Sequence, residues 1–385
     1  MNTKTETLYN KLISLLFIGM LFGLTLINVF WPFQEFSTSE NRFLAKMPVF
    51  SWNSLLEGHF TTDFETFLTD QFPLREVWVS VKSNAERFMQ KKENNGVYFA
   101  KGRTLIERFD APNVHQSMKN LQSIQEFMER TTLPVHVGWI PTAAEIQKEN
   151  LPTFASPYSQ SDYIETLLQT EPSHAAFIST ELWQGLQSHS EEPLYFATDH
   201  HWTMLGAFRF YETLMSYFGV EALDIADFQR EIVSENFYGT LDAKAGGDYA
   251  RADQIERWDV MGDSTPPLFE VSIPDSQHEG TSFYFPHRLE EKDQYTYYLD
   301  GNHAVTILRN LNLPQGRRLL LIKDSFAHAL APFLVNHFSE VHMLDLRYYN
   351  KEVDDYLVDH KIDEVLVLYS TRQFATDPHL FKLGN

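Results

Sequence analysis

Cysteine is absent from this 385-residue chain, which excludes disulfides, thiol catalysis and thiolate metal sites, and leaves either side of a membrane open as a location. Basic residues are scarce. With 31 Lys and Arg against 52 Asp and Glu the formal net charge is −21, which excludes the usual nucleic-acid binder that neutralises phosphates with cations. A polyanionic partner would need a local basic patch. Internal repeats and low-complexity tracts are also missing, so a solenoid is excluded. What is present is a hydrophobic fraction of 43% and an aromatic fraction of 14%, enough to bury a large core in one domain or two.

The one long apolar run, residues 12–30, carries no charge and has only Ser14, Thr25 and Asn28 as polar members. Nineteen residues at ~1.5 Å each match a hydrocarbon core of ~30 Å. Lys4 and Lys11 precede the run, Glu35 and Glu40 follow it, and Trp31 and Phe33 suit an interface. The positive-inside bias therefore predicts a cytoplasmic tail, an uncleaved anchor and an extracytoplasmic remainder in the cell envelope. A cleavable signal peptide is the competing reading. It should have a shorter apolar region ending in small residues, which Ile27-Asn28-Val29-Phe30-Trp31-Pro32 does not offer.

Three parts follow: the tail and anchor over 1–35, a helical and hairpin segment over 36–110, and a catalytic domain over 111–385. Apolar spacing predicts helices over 60–75 and 77–89, and strands 97–100 and 104–107 flank Lys101-Gly102-Arg103 as a hairpin. Thereafter helices (113–130, 161–169, 204–218, 326–337, 353–360) alternate with strands (134–140, 194–197, 318–322, 341–346, 364–369). This order predicts an α/β fold, a mostly parallel sheet with helices on both faces and a ligand site beyond the strands' carboxyl ends. A polar, turn-rich stretch at about 221–300, with a strand candidate at 282–285, reads as an insertion on the rim.

Two segments carry chemistry: Ala197-Thr198-Asp199-His200-His201-Trp202 and Leu321-Ile322-Lys323-Asp324-Ser325-Phe326. In an extended chain residues two apart share a face, so Asp199 and His201 point together and His200 points away. Ser325 falls where a strand turns into a helix, a place that exposes a hydroxyl. A serine becomes a nucleophile when an imidazole takes its proton and a carboxylate fixes the imidazole's tautomer, so Ser325, His201 and Asp199 are the candidate catalytic residues. A helix cap is the competing role for Ser325, and Asp324 suits stabilising the turn. The Ser325 amide and the Asn302 side chain are candidate oxyanion donors, although Gly301-Asn302 is equally an ordinary turn. His200, Trp202, His303 and Arg347 are candidate substrate contacts, against packing for Trp202 and an ion pair with Asp345 or Asp363 for Arg347. Asp199, His200, His201, His303 and His328 are all potential metal ligands. Neighbouring histidines project apart on a strand, however, and no helical i, i+4 pair is present, so neither metal nor cofactor is expected.

Thr198-Asp199-His200-His201-Trp202-Thr203 resembles the DHHW family of bacterial exported proteins, related to alginate O-acetyltransferases and to SGNH hydrolases. Ser39-Glu40-Asn41-Arg42, Asp70-Gln71-Phe72-Pro73-Leu74-Arg75, Pro141-Thr142-Ala143-Ala144-Glu145-Ile146, Gly301-Asn302-His303 and Lys323-Asp324-Ser325-Phe326 resemble that family's other blocks. The resemblance implies an SGNH-like fold, a triad on Asp199, His201 and Ser325, and activity on O-acetyl groups of a surface polysaccharide or oligosaccharide. Transfer would require an acetyl donor, plausibly a membrane-bound acyltransferase, whereas ester hydrolysis would require only water. Lys323 stands where SGNH enzymes commonly have the glycine of Gly-Asp-Ser. A protein that keeps the fold, binds polysaccharide and has lost activity is the alternative.

Overall fold

The computed structural model describes residues 3–37, 42–169, 177–178, 180–261 and 268–384. Ser39, Glu40 and Asn41 of the first family-like block lie outside them. The chain divides into two compact units, Met1–Gln90 and Lys91–Asn385.

The first unit begins with α1 (Thr3–Phe30). Within it, Tyr9–Asn28 has a mean hydropathy of 1.9 with none of it buried, and is long and apolar enough to cross a membrane. Two amphipathic helices follow, α2 (His59–Asp70) and α3 (Arg75–Phe88). Pro73 lies at the junction between them, where Leu74 adopts a left-handed φ of 54°. Phe60, Phe64 and Phe67 stack along α2. At the end of α2 the buried Asp70 accepts the amide of Ala45, and Gln71 exchanges hydrogen bonds with the backbone of Gln34. The block 70–75 is therefore a structural corner.

The second unit is built on an eight-stranded sheet. Its strands are β1 (Val135–Ile140), β2 (Phe177–Ile178), β3 (Phe269–Ile273), β4 (His278–Gly280), β5 (Val305–Asn310), β6 (Arg318–Lys323), β7 (Glu340–Leu344) and β8 (Glu364–Ser370). They lie in the order β4-β3-β5-β7-β6-β8-β1-β2. The run from β7 to β2 is parallel, and β4, β3 and β5 extend it antiparallel. Helices α4 (Val114–Arg130), α5 (Gln160–Gln169), α6 (Met204–Tyr217), α7 (Thr240–Ala245), α8 (Ala327–Leu334), α9 (Val353–Asp359) and α10 (Thr371–Thr376) complete the mixed α/β fold. Helices cover both faces of the sheet, with α6 packed on α8 and α4 on α10, while α7 packs on the 93–107 strands. Leu319 to Ile322 of β6 are wholly buried, as a strand covered on both faces and paired on both edges must be. The hairpin Val97–Ala100 and Thr104–Glu107 forms about Lys101-Gly102-Arg103 as expected, with Glu93–Asn94 as a third strand.

Two strand expectations need correction. Residues 194–197 form no strand; Tyr195 makes one isolated bridge to Trp202, because the chain reverses between them. Residues 282–285 likewise reduce to a bridge between Tyr284 and Tyr298. The stretch 221–300 is also less peripheral than its polarity suggests. It supplies β3 and β4 to the central sheet, a two-stranded ribbon (Phe228–Phe237 with Asp253–Val260) and helix α7.

Candidate active site

The nucleophile candidate sits where β6 ends. Asp324 follows the strand, Ser325 and Phe326 turn, and α8 begins at Ala327. Asp324 governs this turn: Oδ1 accepts the Phe326 amide at 3.0 Å and Oδ2 the Ser370 amide at 2.8 Å, tying the turn to the end of neighbouring β8. Burial raises the Asp324 carboxyl, and the hydrogen bonds from Ser370 and Phe326 oppose that.

His201 and Asp199 come from the reversed turn between Tyr195 and Trp202, not from a strand end. His201 Nδ1 lies 2.6 Å from Asp199 Oδ1, and Nε2 lies 2.7 Å from Ser325 Oγ. With Nδ1 donating to the carboxylate, Nε2 is left as the acceptor for the serine hydroxyl. Asp199 is buried, and its Oδ2 accepts the amide and hydroxyl of Thr240 at 2.8 and 3.0 Å. Burial favours its neutral form, but His200, His201 and these hydrogen bonds outweigh it and hold the carboxyl well below the usual range. Burial, with His200 beside it, pushes His201 down to about 4 against the opposing pull of Asp199. The imidazole is therefore neutral at neutral pH and able to take a proton.

Tyr295 contacts both turns. Its ring stacks on His201 with centroids 3.7 Å apart and planes 7° apart, while Oη donates to the Ser325 carbonyl at 3.1 Å. Behind the serine, buried Lys323 contacts Asp345 Oδ2 at 3.3 Å and His328 Nε2 at 2.9 Å. Burial lowers the lysine, and Asp345 offsets part of that. Arg347 forks onto Asp345 (Nε–Oδ1 2.9 Å, Nη2–Oδ2 2.6 Å), and Nη2 also donates to Asn302 Oδ1 at 3.0 Å. An amide whose oxygen is held by a guanidinium keeps its N–H donors for another acceptor.

Ser325, His201 and Asp199 are thus brought within hydrogen-bonding distance, and Asn302 joins Arg347. Other expectations change. Trp202 has no exposed surface and donates Nε1 to the Phe326 carbonyl at 2.9 Å, so it braces the nucleophile turn instead of walling a substrate pocket. His303 directs one ring nitrogen to Asp275 Oδ1 (3.0 Å) and the other to the Asp300 carbonyl (3.2 Å), so neither nitrogen is left for a substrate. His200 does not point away from His201; their ring centroids are 3.9 Å apart, because a turn lacks a strand's alternation. Consequently Asp199, His200 and His201 offer ligand atoms within 4.8 Å of one another. Nδ1 of His201 is engaged by Asp199, however, and Nδ1 of His200 by Thr240 Oγ1 at 2.9 Å. Thr240 and Tyr295 escaped sequence reasoning; each is an ordinary residue of a polar stretch, with no motif to mark it. The block 141–146 supports the turn from below, since Tyr195 Oη donates to the Pro141 carbonyl at 2.7 Å.

Several proteins of known structure share this fold. A family model described as DHHW protein matches residues 138–249. A crystal structure of a DHHW family protein from Eubacterium siraeum DSM 15702 is 21% identical, covers 76% of this chain and 96% of its own, and has a TM-score of 0.64. The structure of Bacillus cereus PatB1 with a sulfonyl adduct is 22% identical, covers 75% and 98%, and has a TM-score of 0.60. The O-acetyltransferase domain of Pseudomonas putida AlgJ is 14% identical over 75% and 99%, with a TM-score of 0.45. No curated protein matches the chain. The chain is therefore similar to the DHHW family, by sequence over 138–249 and by fold over 76% of its length.

Proposed function

We propose that the protein is a membrane-anchored, extracytoplasmic serine O-acyltransferase that moves acetyl groups on a cell-surface polysaccharide. With water as acceptor, the same steps make it an acetylesterase. The observation that carries the reading is the unbroken chain Ser325 Oγ, His201 Nε2, His201 Nδ1, Asp199 Oδ1, with links of 2.7 and 2.6 Å.

In this reading Ser325 Oγ attacks the acetyl carbonyl as His201 Nε2 takes its proton, and Asp199 stabilises the imidazolium. The Ser325 amide and Asn302 Nδ2 are the donors for the oxyanion, the second oriented by Arg347. The intermediate collapses to acetyl-Ser325 as His201 returns the proton to the departing oxygen. A sugar hydroxyl, deprotonated by the same nitrogen, then takes the acetyl group. His200 and Arg347 are the side chains of this site offered to the carbohydrate. The apolar helix Tyr9–Asn28 supports the anchor, and a membrane-bound acyltransferase is the donor partner this placement suits.

The test uses the full chain. It should release 4-nitrophenol from 4-nitrophenyl acetate, and a sulfonyl fluoride should modify Ser325, mapped by mass spectrometry; this is the class of adduct carried by PatB1. Ser325→Ala and His201→Ala proteins that fold should do neither. Normal turnover by Ser325→Ala overturns the reading. Acetylated oligosaccharide formed in the presence of an acetyl donor marks transfer, and free acetate alone marks hydrolysis.

A further inference from the structure

Asp253 lies 54 positions beyond Asp199, at the start of a strand of the polar stretch, with no residue of the relay nearby in sequence. Its carboxylate nonetheless grips the turn from which the relay hangs. Oδ1 accepts the Ala197 amide at 2.7 Å, and Oδ2 accepts the Thr198 amide at 2.7 Å and the Thr198 hydroxyl at 2.5 Å. Among the described residues no cation forms an ion pair with it, so its hydrogen-bonding capacity is devoted to the turn. Thr198 passes the constraint on: its hydroxyl oxygen accepts the Gly239 amide at 2.9 Å, and its carbonyl accepts the amides of Leu241 and Asp242 at 2.9 and 3.1 Å. The amide and hydroxyl of Thr240, between them, hold Asp199 Oδ2. The Cβ that Gly239 lacks would lie 2.3 Å from Asp199 Cβ, so the two turns press directly together.

We propose that Asp253 is a positioning residue for the reaction, clamping Ala197 and Thr198 so that the next residue, Asp199, presents its carboxylate to His201. This rests on the acyl-transfer reading above. A carboxylate supplies oxygen acceptors for all three donors, whereas a carboxamide turns an N–H toward one of them. Misplacing a catalytic group by about 1 Å costs on the order of 10²-fold in rate.

The charged groups facing Asp253 are Asp199 across the turn and Arg230, Glu235, Arg251 and Glu256 along the groove it lines. Burial raises its carboxyl to about 6, against the hydrogen bonds from Thr198 and Ala197 and with Asp199 adding to the rise. Protonation turns one oxygen into a donor and releases part of the clamp. Turnover should therefore fall as pH drops through about 6, before His201 charges at about 4.

The experiment compares wild type, Asp253→Asn and Thr198→Val as full chains, measuring kcat and KM for 4-nitrophenyl acetate from pH 4 to 8, with folding checked by thermal denaturation. The expected result for folded Asp253→Asn is a fall in kcat of about 10²-fold, KM within about threefold, and loss of the inflection near pH 6. Thr198→Val removes one of the three contacts to Asp253 together with the acceptor of the Gly239 amide. If Asp253→Asn does not fold, folded Thr198→Val decides the matter by its pH profile: loss of the hydroxyl that lowers the Asp253 carboxyl should move the inflection above pH 6, and an inflection that stays in place overturns the proposal. Wild-type kcat in folded Asp253→Asn, or an inflection near pH 6 that survives the substitution, overturns the proposal. An inactive wild type whose Ser325 resists sulfonylation instead overturns the acyl-transfer reading.

Discussion

The turn at 197–202 and the turn at 323–326 supply the two halves of the relay, and they are held in different ways. The serine turn is largely a local product. A buried parallel strand must end, a helix begins two residues after Ser325, and Asp324 closes the turn on the adjacent strand end. The histidine turn has no such frame. Its residues belong to no strand, and Asp253, Thr240 and Pro141, drawn from three other places in the chain, hold it through Ala197 and Thr198, Asp199 and Tyr195 respectively. The lesson is that the candidate nucleophile is placed first by a strand end and a helix start, with Trp202 and Tyr295 bracing its carbonyls, whereas the candidate base depends on groups gathered from three distant segments.

Substitutions break this comparison in graded steps. Ser325→Ala and His201→Ala remove the reacting groups themselves and should each lower kcat/KM by roughly 10⁴-fold or more. Ser325→Ala should keep thermal stability near wild type, whereas His201→Ala should also lower the denaturation midpoint, because it strips buried Asp199 of its partner. Asp199→Asn should come close behind, at roughly 10⁴-fold in kcat, because the amide favours the wrong imidazole tautomer. Asp324→Ala is the counterpart on the serine side. Leaving the Phe326 and Ser370 amides unpaired in the interior should cost about 1–3 kcal/mol each, read as a lower denaturation midpoint together with reduced turnover. Were Asp324→Ala as stable as wild type, the local frame argued for the serine turn would be wrong. The smallest effect expected is that of Tyr295→Phe, which removes a hydroxyl shared between the Ser325 and Phe326 carbonyls, worth about 1 kcal/mol, and keeps the ring on His201. A severalfold fall in kcat with little change in stability is its expected signature.

Legibility in the sequence followed the same division. The strand 318–322 announced itself through its apolar run 319–322, whereas the serine at its end stood out from a helix cap only together with Asp199-x-His201. Asp199-x-His201 was also legible as a pair, but for a partly mistaken reason: the residues share a side because the chain reverses, and that reversal brings His200 to the same side. Trp202 read as pocket wall or core and proved to be core, because only coordinates show its indole donating to the Phe326 carbonyl. The polarity of 221–300 hid its contribution to the sheet. β4 is only His278–Gly280, too short for periodicity to register, and Asp253 and Thr240 act through single polar contacts that leave no pattern.

Tyr295 touches both halves at once, its ring against the imidazole and its hydroxyl on the serine's own carbonyl. The imidazole is therefore covered on one face by a ring that is itself tied to the serine backbone. In the acyl-transfer reading, proton traffic between alcohol and acceptor would then run along one edge of a ring held in place by its neighbour.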